Sequence, residues 1–122
     1  LSVVRQRNSL PANLRELIIL RVAVLNHAPY EFEAHIPHAR QAGLSDDKIQ
    51  AVQEPVISSL FTQHERLILQ LADTMTQQIQ VPDDLFEKIA QHYAGKELLD
   101  LCITIGAYNM VSRVLVALNI GH

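Results

Sequence analysis

A chain of 122 residues has room for one hydrophobic core and no second. With 48% of its residues apolar and 19% charged, it is too apolar for disorder and too interrupted by charge for a membrane bundle. Ten basic against 13 acidic residues give a net charge of -3, which leaves no electrostatic footprint for nucleic acid; the one local basic cluster is Arg5 and Arg7. The single cysteine, Cys102, excludes an internal disulfide, a Cys-x-x-Cys redox pair and a zinc cage. The opening LSVVRQRNSLP is broken by Arg5 and Arg7 before any signal-type apolar run forms, so a cytoplasmic location is expected.

No internal repeat or low-complexity tract is visible, and Gly and Pro stand as punctuation between helically periodic segments. A first helix is predicted from Asn13 to about Asn26, with Asn13 and Glu16 spaced as a capping pair and the rest almost wholly apolar. Pro29 suits the first position of a second helix, which runs through Ala42 and ends at Gly43, a residue suited to a left-handed cap. Pro37 falls inside it, removes one backbone hydrogen bond, and is expected to kink it. Ser45 followed by Asp46 and Asp47 opens a short helix to about Gln53. Thr62 and Glu65 form a capping box ahead of an amphipathic segment carrying Leu67, Ile68, Leu71, Ala72 and Met75. Val81-Pro82-Asp83-Asp84 starts the fifth helix, and the last runs from about Lys96 to Asn119. The fold expected over residues 1–122 is therefore all-α, a single-domain bundle of about six helices.

The last helix is apolar over more than one face, and such a helix must be buried on several sides. Two arrangements satisfy it: a homo-oligomer, or a position at the centre of one subunit wrapped by the other helices. Asp100, Asn109 and Arg113 interrupt it, so it is not read as a membrane span.

Polar residues concentrate in HAPYEFEAHIPHARQAG, from His27 to Gly43, which holds three of the six His. On a helix, Glu31, His35 and His38 share one face while Glu33 points elsewhere. An imidazole beside a carboxylate is the usual arrangement for acid–base work near neutral pH. The same three side chains also fit an ordinary solvated edge, or a Zn²⁺ or Fe²⁺ site, although the two His are spaced i, i+3 where metal-binding helices more often use i, i+4. Glu16 is either the cap partner of Asn13 or an acid whose properties are altered by burial.

YEFEAH followed by ARQAGLSDDKIQAV, together with Leu14-Arg15-Glu16-Leu17 and the closing ELLDLCITIGAYNMVSRVLVALNI, resembles the carboxymuconolactone decarboxylase family, whose relatives include alkylhydroperoxidase D-like proteins. The resemblance covers most of residues 10 to 120 and implies an alkylhydroperoxidase D-like helical fold. In the peroxidase branch it implies a Cys-x-x-Cys whose second Cys lies four residues before the His, and a Glu further upstream. Those Cys positions fall on Ala28 and Glu31, and the upstream Glu on Glu16, so the thiols of a peroxidase cycle are absent. Cys102 lies on the apolar closing helix and reads as core.

What carries over is Glu16, Glu31 and His35 as a proton-transfer set, with Tyr30, His38 and Arg21 as candidate substrate contacts and Arg40 as a second candidate for holding a carboxylate. This implies a cofactor-free, metal-free lyase or related proton-transfer enzyme acting on a small organic acid or lactone. The alternatives are peroxidase activity through Cys102, and a non-catalytic oligomeric module that binds a small ligand or a protein partner.

Overall fold

The computed structural model describes residues 9–121, and all its regular structure is helical: α1 Ala12–Leu25, α2 Pro29–Gln41, α3 Asp46–Ala51, α4 Gln63–Gln77, α5 Asp83–His92 and α6 Lys96–Ala117. The Arg5 and Arg7 pair and the N-terminal segment around it lie outside the described residues.

Helix α1 is the centre of the bundle and packs against α2, α4 and α6. From Glu16 to Ala23 every residue is buried, so its sequence shows no polar stripe. One side, through Leu14, Ile18, Ile19 and Val22, meets Ile68 and Leu71 of α4, Ile89 of α5 and Leu101, Ile105 and Tyr108 of α6. The other, through Leu17, Leu20 and Ala23, meets Phe32 and Ala39 of α2, Ile49 of α3 and Phe61. Each buried Leu or Ile stabilises such a core by roughly 1.5–3 kcal/mol relative to exposure, and α1 contributes to both clusters at once. The helix at the centre is thus α1 and not the longer, equally apolar α6.

Local signals set most boundaries. Pro29 occupies the first turn of α2, and Gly43 follows its end at φ 98°, where a Cβ is disfavoured. Ser45 accepts a hydrogen bond from the Lys48 amide at 3.2 Å, and both halves of the Thr62–Glu65 capping box are formed. Helix α2 runs unbroken past Pro37, which sits on the exposed side where water can satisfy the carbonyl it orphans. The predicted Asn13 cap does not form. Pro11 precedes α1 without a side-chain cap, and Glu16 turns inward.

Helix α6 buries one face only. Asn109 donates to Thr76 Oγ1 at 2.9 Å and accepts from Asn26 Nδ2 at 2.8 Å, while Ser112 Oγ accepts from the same amide at 2.7 Å. These bonds tie α6 to the ends of α1 and α4 and satisfy the polar groups that burial would otherwise penalise. By length and composition alone, α6 is long and apolar enough to cross a membrane.

Candidate acid–base site

The reversal between α1 and α2 takes three residues. His27 adopts φ 54°, an uncommon conformation for a residue with a side chain, and the Ala28 amide bonds back to the Ala23 carbonyl at 2.9 Å. This tight turn lays the first half of α2 against α1. The face predicted for Glu31, His35 and His38 is then presented to Glu16.

His35 is held between two carboxylates. Its Nδ1 lies 2.8 Å from Glu16 Oε1, and its Nε2 lies 2.9 Å from Glu31 Oε1 one helical turn earlier. With both ring nitrogens protonated, each N–H donates to a carboxylate, which is the bonding pattern of an imidazolium. Burial opposes charge on the ring, but the hydrogen bonds and charges of Glu16 and then Glu31 outweigh it. Together they raise the His35 pKa from 6.5 to about 9. The proton is therefore resident at neutral pH.

The surroundings are closed on the Glu16 side. Glu16 is 1% exposed; its second oxygen, Oε2, is buried without a hydrogen-bond donor among the described residues, and Arg15 Nε stands 3.6 Å from it. Tyr108 of α6 meets the His35 ring edge-on, with centroids 5.9 Å apart. Arg15 and Tyr108 were not picked out as site residues from the sequence. Tyr108 lies in the closing segment that carries the family resemblance, but its contact with a histidine 73 positions earlier is set by packing alone.

The other candidates are placed around this cluster or away from it. His38 lies beside His35, rings tilted and 5.2 Å apart, but is exposed. Tyr30 is half exposed and lines a cavity of about 340 Å³ with His27, Leu115, Asn119 and Ile120. A second cavity, about 450 Å³, lies on Ala23, Val24, His27, Phe32, Glu33 and Gln53. Both reach Ala28 and Pro29 at the start of α2, and neither is lined by Glu16, Glu31 or His35. Arg40 pairs with Asp46 on the surface at 2.9 Å. Among the described residues no three of His, Cys, Asp and Glu converge so as to hold a metal ion.

Arg21 requires a correction as a candidate for binding a substrate carboxylate. It is 1% exposed, with Nε and one terminal nitrogen bonded to the two oxygens of Asp73 at 2.7 and 2.9 Å. Its remaining N–H groups go to the carbonyls of Val52, Glu54 and Pro55. All five donors of a guanidinium are thereby occupied, and none is left for a ligand. Cys102 is half-buried, and burial pushes its thiol pKa up, away from the thiolate that peroxide chemistry requires.

Comparisons with known proteins converge on one family and one fold. Residues 2–74 match the Carboxymuconolactone decarboxylase family. The uncharacterized protein YdfG of Bacillus subtilis (strain 168) is 25% identical over 115 residues, which span 93% of this chain and 78% of that protein. A crystal structure of a protein of unknown function from Agrobacterium tumefaciens, for which a role as the antioxidant defence protein AhpD has been suggested, superposes with a TM-score of 0.90. It is 28% identical and covers 99% of this chain and 84% of its own. An uncharacterized peroxidase-related protein from Silicibacter sp. TM1040 shares the fold at a TM-score of 0.84 and 21% identity, over 95% of this chain and 62% of that one.

Proposed function

Since the chain belongs to the carboxymuconolactone decarboxylase family, we propose that it is a cofactor-free acid–base enzyme, a lyase or proton-transfer catalyst acting on a small organic acid or lactone. The observation that carries this reading is the His35 ring, bonded at both nitrogens to carboxylates and kept protonated at neutral pH. A decarboxylation leaves the electron pair of the broken C–C bond on carbon as an enolate, which must then be protonated. His35, the most exposed of the three side chains at 12%, supplies that proton from Nε2 by way of Glu31, the less buried of the two carboxylates, and regains one from water. Glu16 holds the ring from the closed side and stabilises its charge, as the third member of a catalytic triad does.

The antioxidant role suggested for the Agrobacterium neighbour would need different chemistry here. A thiol cycle consumes a thiolate and a resolving thiol, and this chain has one cysteine, half-buried and shifted toward the protonated form.

The test is a panel of small lactones and β-keto acids incubated with the protein in D₂O, followed by NMR for deuterium incorporation at carbon and for CO₂ release. The expected result is catalysed incorporation that falls by about 10²–10⁴-fold in His35→Gln. Hydroperoxide consumption is expected at background and unchanged in Cys102→Ser. Equal turnover by the His35→Gln protein would remove the proposed role, and peroxide reduction lost with Cys102 would replace the reading with a thiol mechanism. Tight binding of a panel compound without turnover would favour a ligand-binding module.

A further inference from the structure

We propose that the cavity between the start of α4 and the end of α5 is a binding site for a phosphate dianion, carried by a small phosphate monoester or present as free phosphate. The cavity measures about 540 Å³, more than either of the two beside α2, and shares no lining residue with them or with the His35 cluster. None of its seven lining residues is acidic, in a chain with 13 acidic residues against ten basic. His64, Lys88 and His92 bring groups that carry or accept positive charge, and Gln63 and Gln91 bring neutral amides. Lys88 is exposed and forms no ion pair among the described residues. Such a one-signed set of donors around a concavity suits an anion.

Helix α4 contributes backbone as well as side chains. Its capping box uses the amides of Thr62 and Glu65 and leaves those of Gln63 and His64 without an acceptor among the described residues. Both belong to the positive end of the helix dipole, where phosphate oxygens are favoured. Glu65 is the one carboxylate in this turn, and it is outside the cavity lining. It accepts from the Thr62 amide and from Lys48, whose ammonium meets its two oxygens at 2.9 and 2.8 Å, so its charge is already balanced.

His64 is oriented by a buried tyrosine. Tyr93 Oη lies 2.6 Å from His64 Nε2, and burial, followed by the charge of Glu97, pushes the tyrosine pKa up, so the hydroxyl keeps its proton. With no other acceptor for it among the described residues, that O–H donates to Nε2 and places the ring's own proton on Nδ1, the nitrogen left for the cavity. His92 meets the same ring edge-on, with centroids 5.4 Å apart, and stands in the last turn of α5, where the helix dipole suits a cation. Backbone amides, imidazoles and the Lys88 ammonium thus come from two helices to one space. A phosphate group meets them with three acceptor oxygens and a charge of about −1.5 to −2, whereas a planar carboxylate brings two oxygens and a single charge. Leu67 gives the cavity an apolar wall for the carbon part of a monoester.

Calorimetric titration of the full chain with glycerol 3-phosphate is expected to give one saturable site with a Kd below about 1 mM. Lys88→Gln is expected to weaken it by at least about tenfold while leaving the far-ultraviolet circular dichroism unchanged. In ¹⁵N NMR the largest amide shifts should fall at Gln63, His64 and His92, and succinate should bind at least about tenfold more weakly than the phosphate. Weaker binding of inorganic phosphate would identify a monoester as the occupant, and equal or tighter binding would identify free phosphate; both outcomes sustain the site. Folded His35→Gln is expected to bind as the parent does, so the site stands or falls separately from the acid–base reading. No saturation by either phosphate, succinate binding equally well, an affinity indifferent to Lys88→Gln, or binding lost in folded His35→Gln would each overturn the proposal.

Discussion

A His35→Ala protein is expected to be less stable than the parent by up to about 3 kcal/mol at pH 6, with the deficit shrinking as the pH is raised from 6.5 to 9. The direction follows from the raised pKa. The folded state binds the His35 proton with a pKa of about 9, against 6.5 for the free side chain. The stability this contributes is fully present below pH 6.5 and is lost as the pH rises through 9. Removing the ring also leaves Glu16, 1% exposed, facing Glu31 without the group between them. Urea unfolding of both proteins at pH 6, 7.5 and 9.5 checks this. A deficit that is the same at all three would mean that His35 contributes packing and no charge.

Arg21 carries the second large effect, one of architecture. Replacing it with Met is expected to destabilise the fold by about 3–5 kcal/mol, because Asp73 loses a bidentate partner and the carbonyls of Val52, Glu54 and Pro55 lose their donors. Lys is expected to recover little, since an ammonium cannot reproduce five donors in a planar fork. Arg21 ties α1 both to α4, through Asp73, and to the segment after α3, so its loss should also loosen the backbone around Val52 to Pro55. Urea midpoints for the three proteins measure the first effect and amide hydrogen exchange the second. A loss below about 1 kcal/mol in the Met variant would show the network to be dispensable.

These two residues mark how far the sequence can be read. The periods, the Thr62–Glu65 box, Pro29 and Gly43 are local devices, and they located the helices because each acts within one turn of its own position. The pairing of Glu31 with His35 was legible for the same reason, as an i, i+4 spacing on one face. Glu16 was ambiguous, since the same carboxylate serves as a cap partner or as a buried acid depending on whether α2 folds back over it. Arg21 and Tyr108 were opaque in a different way. A lone arginine in an apolar helix looks like a substrate ligand until Asp73 and three carbonyls are seen to surround it. Which of two apolar helices becomes the centre, α1 or α6, was likewise decided by packing, because both are apolar around most of their circumference.

The central claim is that a protonated imidazole at position 35 sits between two carboxylates, and ¹⁵N NMR of the histidine rings measures it directly. With the His35 resonances assigned by their loss in His35→Gln, the parent protein at pH 7.5 should show both ring nitrogens protonated. The midpoint should lie near 9 and fall toward 6.5 in Glu16→Gln. A His35 that titrates near 6.5, with one ring nitrogen bare at pH 7.5 and no response to Glu16→Gln, would contradict it.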